Sequence, residues 1–107
     1  MNNAEKKSIL FRVGLGRKSG KLIFGTEMVC DGVRDGKVKK IFVAENVSEN
    51  TGKRIENCAK HYGINTEILS GVTTDELGAA IGKTAVACVG ATDDNIAKLI
   101  ETGLEKE

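Results

Sequence analysis

Proline and tryptophan are absent from this chain, and histidine occurs once, at His61. Aromatic residues are limited to Phe11, Phe24, Phe42 and Tyr62, so a core must be built from Ile, Leu, Val and Ala. Thirteen glycines stand against no proline. That imbalance points to tight turns and closely packed elements rather than disorder. Cys30, Cys58 and Cys88 are odd in number and widely separated, with no CxxC pair. The pattern argues against a disulfide framework or a zinc site and for a reducing compartment. No signal-like apolar segment opens the chain and no run approaches membrane-spanning length, so a cytoplasmic protein without a membrane partner is expected.

The 107 residues suit one domain, 1–107, and hydrophobic residues make up an ordinary 40%. The formal net charge of +1 hides a split: residues 1–63 hold 13 Lys or Arg against 7 Asp or Glu, and residues 64–107 hold 3 against 8. One surface could therefore face a polyanion, unless folding interleaves the two halves.

Strand-like and helix-like segments alternate. Ile9, Leu10, Val13 and Leu15 form an apolar stripe at helical spacing over 4–17. Gly14 and Gly16 weaken this helix by up to about 1 kcal/mol each, which suggests that another backbone packs close to them. Gly20 is placed to cap its end. Leu22-Ile23-Phe24 reads as a short strand, and Thr26 as the cap of a second helix reaching Gly36. Residues 38–44 read as a buried strand. A third helix starts near Ser48, puts Ile55, Cys58, Ala59 and Tyr62 on one face, and stops at Gly63. A short strand over 66–69 and a short helix from Thr74 to Gly82 follow. Residues 85–91, small and almost wholly apolar, fit a central strand covered on both faces. Asp93 or Asp94 caps a last helix carrying Ile96, Leu99, Ile100 and Leu104.

The catalytic motifs fail on inspection. Gly16–Lys21 and Gly78–Thr84 imitate a phosphate-binding P-loop, but Leu15 and Leu77 occupy the place of its first glycine. Both stretches also follow a helix, whereas a P-loop follows a strand and opens a helix. His61 falls in a last helical turn, where it can meet terminal carbonyls, and no Ser or Cys is paired with it. The cysteines lie on apolar faces, and helix capping accounts for Asp93-Asp94 without magnesium. No enzyme, metal or cofactor is expected. What remains is basic: Arg17, Lys18 and Lys21 bracket the end of the first helix, and Lys37, Lys39 and Lys40 follow the second. The second helix's N-terminus can itself attract phosphate.

The run Gly14-Leu15-Gly16-Arg17-Lys18-Ser19-Gly20-Lys21-Leu22, then Gly25, then Lys39-Lys40-Ile41-Phe42-Val43-Ala44-Glu45 resembles the kink-turn RNA-binding ribosomal-protein superfamily of archaea and eukaryotes. Asn46-Val47-Ser48-Glu49-Asn50-Thr51 and Leu77-Gly78-Ala79-Ala80-Ile81-Gly82-Lys83 continue the likeness, which is closest to its bacterial YlxQ-type branch. The resemblance implies an α/β fold, a three-layer α/β/α sandwich around a four-stranded mixed sheet with about five helices. It also implies that the turn at Gly25 meets kinked RNA, through an Asn-Glu-x-x-Lys pattern in the family, while a loop at Ile81-Gly82-Lys83-Thr84 covers an extruded nucleotide. At the pattern's positions this chain carries Glu27, Met28 and Asp31. Two anions stand where phosphates would approach, and Met28 cannot accept a guanine's hydrogen bonds. Structured-RNA binding is thus implied more firmly than the kink-turn mode.

The expected function is non-catalytic binding of structured RNA, ribosomal RNA included, in association with the ribosome or translation factors and without DNA. Lys18, Lys21, Lys39 and Lys83 would neutralise phosphates. Gly25, Thr26, Glu27 and Met28 would form the helix-start contact, and Ile81 and Gly82 the second loop. The alternative is a protein-interaction module that keeps the fold and has lost the RNA site.

Overall fold

The structure, a computed structural model, describes residues 2–104, with the backbone alone for Leu104, whose expected apolar contact lies outside the described residues. The first helix, α1 (Asn3–Lys18), starts at a capping box: the Asn2 side chain accepts from the Glu5 N–H, and the Glu5 carboxylate accepts from the Asn2 N–H. It ends in a Schellman turn, with Gly20 N–H on the Arg17 carbonyl (3.1 Å) and Lys21 N–H on the Gly16 carbonyl (3.0 Å). Gly14 and Gly16 sit where close packing requires them. A Cβ on Gly14 would lie 3.0 Å from the Ala80 carbonyl oxygen, and one on Gly16 3.0 Å from Ile96. Ile9 and Val13 are buried as expected, but Leu15 is exposed because α1 turns that side towards an open groove rather than the sheet.

The remaining elements are β1 (Leu22–Phe24), α2 (Thr26–Arg34), β2 (Lys40–Ala44), α3 (Glu49–His61), β3 (Asn65–Leu69), α4 (Thr74–Ala80), β4 (Cys88–Ala91) and α5 (Asp94–Leu104). The sheet order is β1-β4-β2-β3, with β4 antiparallel to both neighbours and β3 parallel to β2. A mixed four-stranded sheet between helical layers, with five helices among the described residues, agrees with the expected fold.

Side-chain alternation along the strands produces one apolar cluster per face. Phe42, Ala44, Val89 and Ala91 join Ile9, Val13, Leu77 and Ile100, the side of α1, α4 and α5. Ile41, Val43 and Cys88 join Val29, Val33, Ile55 and Ala59, the side of α2 and α3. β4 is buried throughout, as its position in the sheet interior demands. Gly90 within it carries no side chain because a Cβ would meet Val38 at 3.1 Å and Val29 at 3.4 Å.

Several boundaries differ from the sequence reading. β4 begins at Cys88, since residues 85–87 are still returning from α4, with Ala85 exposed. α2 stops at Arg34, and its cap is Gly25 rather than Thr26. α4 begins at Thr74 as expected but stops at Ala80 rather than Gly82, and Thr73 caps it: its hydroxyl accepts from the Glu76 N–H and the Glu76 carboxylate accepts from the Thr73 N–H. Tyr62 is exposed beyond the last turn of α3, where its ring packs edge-on against His61 with centroids 4.8 Å apart. Asp93 caps α5 through the N–H groups of Asn95 (2.8 Å) and Ile96 (3.3 Å), which explains the paired acids. Among the described residues no helix is long and apolar enough to cross a membrane, and no cluster of His, Cys, Asp and Glu could hold a metal ion.

Candidate nucleic-acid interface

The edge strand β1 carries the chain directly into α2 through Gly25, whose backbone (φ 89°, ψ 146°) lies in a region open only to glycine. Its N–H donates to the Cys88 carbonyl at 2.9 Å, fixing the turn to the central strand. Its own carbonyl accepts the first intrahelical bond, from Val29 N–H at 2.9 Å. The N–H groups of Thr26, Glu27 and Met28 precede that bond, and no side chain caps them. They present a row of donors at the positive end of the helix dipole.

The second expected loop lies alongside. α4 ends at Ile81 and Gly82, the latter with φ +76°, and Lys83 N–H closes the turn on the Gly78 carbonyl at 2.8 Å. Phe24 ties the two loops together. The Lys83 ammonium lies 5.3 Å from its ring centroid, and the Arg17 guanidinium lies at the same distance. These are cation–π contacts that leave both charges directed at the same edge of the sheet.

Both anions that break the family pattern are compensated. Glu27 pairs with Arg54 of α3, and Asp31 pairs with Arg34 at 2.9 Å. All four side chains are more than half exposed, so each pair contributes little stability, at most about 1 kcal/mol, and its arginine is readily released. Met28 projects into solvent at 55% exposure.

The sheet register separates the remaining expected residues. Leu22 and Lys40 both align with Ala91, and Gly25 lies beyond the other end of β1. Lys21 and Lys39 therefore sit roughly 13 Å of strand away from Gly25. Lys21 approaches Asp93 at 3.5 Å, and Lys39 is exposed with its N–H on the Ala91 carbonyl at 2.7 Å. Lys18 stands between the two groups, on the rim of a groove that it shares with Ile81 and Gly82. The structure thus gathers Gly25, Thr26, Glu27, Met28, Ile81, Gly82 and Lys83, and leaves Lys21 and Lys39 apart.

Phe24 and Arg54 were not among the expected residues. Arg54 lies 27 residues from its partner Glu27, and nothing local in the sequence connects them. Phe24 was legible only as a strand residue. The chemistry of the assembled site is that of a receptor: backbone donors, cations and an apolar loop. The three cysteines, distant in sequence, converge beneath α2 and α3. Burial first, and the neighbouring Cys58 second, push the Cys30 thiol up to about 12; burial pushes Cys88 up to about 12 as well. Such thiols stay protonated and unreactive.

Comparison with known proteins gives the family and the fold. RNA-binding protein YlxQ of Enterococcus faecium is 34% identical over 64 residues, which cover 60% of this chain and 62% of the relative's length. RNA-binding protein YlxQ of Bacillus subtilis (strain 168) is 29% identical over 89 residues, 82% of this chain and 87% of that protein. A Bacillus halodurans protein of unknown function superposes with a TM-score of 0.75 at 26% identity, covering 87% of this chain and 96% of its own. The Giardia lamblia 15.5kD RNA binding protein shares the fold, with a TM-score of 0.73 at 13% identity over 97% of this chain and 88% of its own. The sequence profile of the ribosomal protein L7Ae/L30e/S12e/Gadd45 family matches residues 7–101. The chain belongs to that family and is similar within it to the bacterial YlxQ type.

Proposed function

We propose that this protein is a non-catalytic binder of structured RNA, acting with the ribosome or the translation apparatus. The observation that carries the reading is the convergence on Phe24 of an uncapped α2 N-terminus and the cationic α4 turn. Backbone donors from Thr26, Glu27 and Met28 suit phosphate oxygens. Lys83, Arg17 and Arg54 neutralise the flanking backbone, and the turn at Gly82, with Ile81 buried beneath it, offers its backbone to an unstacked base. Membership of a family whose YlxQ relatives are named as RNA-binding proteins supports the same conclusion. The rival reading, a protein-interaction module without an RNA site, rested on the acids at Glu27 and Asp31. Their pairing with Arg54 and Arg34 weakens that objection.

The kink-turn mode is tested by comparing a kinked RNA with a straight duplex of equal length at one salt concentration. The native protein is expected to bind structured RNA with little preference for the kink, because Met28 and the two acids cannot reproduce the family's base contacts. Replacing Glu27, Met28 and Asp31 with Asn, Glu and Lys should raise affinity for the kinked RNA selectively. Each bidentate base contact regained contributes about 1–3 kcal/mol. An equal gain on both RNAs would mean that charge alone had changed. No affinity for either RNA, before or after the replacement, would overturn the proposal. Ribosome association has its own measurement, cosedimentation with ribosomal particles that is lost on RNase treatment.

A further inference from the structure

Between α1 and α4 runs an open groove of about 670 Å³; the RNA reading uses one end of it, at Arg17 and the Ile81-Gly82 turn, and leaves the stretch along Leu10, Phe11 and Leu15 without a role. Its walls are aliphatic, with Leu10, Leu15, Ala79 and Ile81 among the lining residues. Phe11 stands on its outer lip at 67% exposure and Leu15 one turn further along at 38%. Two large apolar side chains at i and i+4 on a solvent face are what a helix interior avoids, and such a patch marks a contact surface.

Charge settles which partner fits. Arg17 and Lys18 line one end, and neither enters an ion pair among the described residues. Glu76, the acid among the lining residues, has its carboxylate held by Lys6 at 2.9 Å. The groove is thus apolar along its length and cationic at one end. From Leu10 to Lys18 the wall rises roughly 12 Å, the span of about two helical turns and so of anchors at i, i+4 and i+7. Along Leu10, Phe11, Leu15 and Ala79 no polar side chain is placed to read a base edge, and Phe11 is the single ring on which a base could stack.

We infer that this groove docks an amphipathic helix from a protein partner, with bulky apolar anchors on one face and carboxylates beside the end that meets Arg17 and Lys18. The helix lies across the α1 and α4 faces, beside the RNA surface, and meets it at Arg17 and the Ile81-Gly82 turn. The inference stands whether or not the RNA reading does.

The test is selection of a displayed library of random helical peptides on the native protein, with counter-selection on Phe11→Asp. Phe11 is exposed, so that variant should keep the native fold, and circular dichroism checks this. Enriched peptides should be acidic and carry apolar residues at i and i+4. Their affinity should fall by about tenfold or more on Phe11→Asp and on Leu15→Asp, in the range of a central interface residue. Lys18→Glu should weaken them as well, with RNA affinity unchanged by Phe11→Asp. Enrichment without acidic bias, or peptides that bind Phe11→Asp as well as native protein, overturns the inference. So does a native dimer that Phe11→Asp dissolves, which would make the occupant a second copy. Loss of RNA affinity in Phe11→Asp would assign the groove to the RNA and overturn it too.

Discussion

Gly25 shows how one position can carry both fold and site. At φ 89° and ψ 146° a Cβ is strained even though open space surrounds it. Gly25→Ala should cost about 1–3 kcal/mol in denaturant unfolding and should weaken RNA binding by tilting the α2 N-terminus. Gly78 fails for a different reason, since its added Cβ would lie 2.8 Å from the Ala85 nitrogen and 2.9 Å from the Thr84 carbonyl carbon. Backbone cannot swing aside as a side chain can, so Gly78→Ala should destabilise by about 1–3 kcal/mol through displacement of the Ile81–Lys83 turn. The thiols give a third check. Cys88 is fully buried and both it and Cys30 are raised to about 12, so native protein at neutral pH should spare both from alkylation. Rapid labelling of Cys88 before unfolding would contradict the central-strand position.

α4 depends on its ends more than on its length. Seven residues are too few for an isolated helix, so the capping box and packing must hold it. Thr73→Ala should destabilise by about 0.5–2 kcal/mol. Glu76 accepts from the Thr73 N–H, then from Lys6, and these bonds hold its carboxyl below the ordinary 4.5. A lowered folded value means that the contribution is complete above 4.5 and disappears as pH falls through the folded value. Unfolding curves taken from neutral pH to below 4.5 should therefore show a loss that Glu76→Gln flattens. Lys40 illustrates the opposite sign at the β2–β3 edge. Burial alone would lower it, but bonds to Glu101 (2.6 Å) and Glu67 (2.9 Å) raise it above 10.5. Its contribution persists up to that pH and is lost as alkali deprotonates it. Lys40→Met should cost about 1.5 kcal/mol, the low end for charged hydrogen bonds because both carboxylates keep solvent contact.

Over the whole molecule, the basic residues named above are distributed between two ends of one sheet. Arg17, Lys83 and Arg54 flank the Gly25 end, whereas Lys21, Lys39 and Lys40 lie at the other, and Lys21 and Lys40 are already engaged with acids. A local interface at the Gly25 end predicts that Lys83→Ala and Arg54→Ala weaken RNA binding and flatten its salt dependence by roughly one phosphate contact each. Lys21→Ala and Lys39→Ala should do so less. Equal effects from all four, in salt titrations by fluorescence anisotropy, would point to a diffuse field around the whole sheet instead.

Periodicity and turn chemistry are local, and they made the element order, the caps at Gly20, Ser48 and Gly63, and the buried β4 legible in the chain itself. The motif order carried the family in the same way, because spacing along a sequence survives without coordinates. A boundary failed where two neighbours could serve equally, as with Thr26 against Gly25. There the choice rests on which backbone turns first, and the bond from Gly25 N–H to β4 makes it. The site was half legible: Gly25 and Ile81-Gly82-Lys83 stand in recognisable runs, but their meeting at Phe24, the Arg54 partner of Glu27 and the remoteness of Lys39 depend on strand register. Register is set by which apolar faces bury together across the sheet, a non-local outcome that no window of sequence contains.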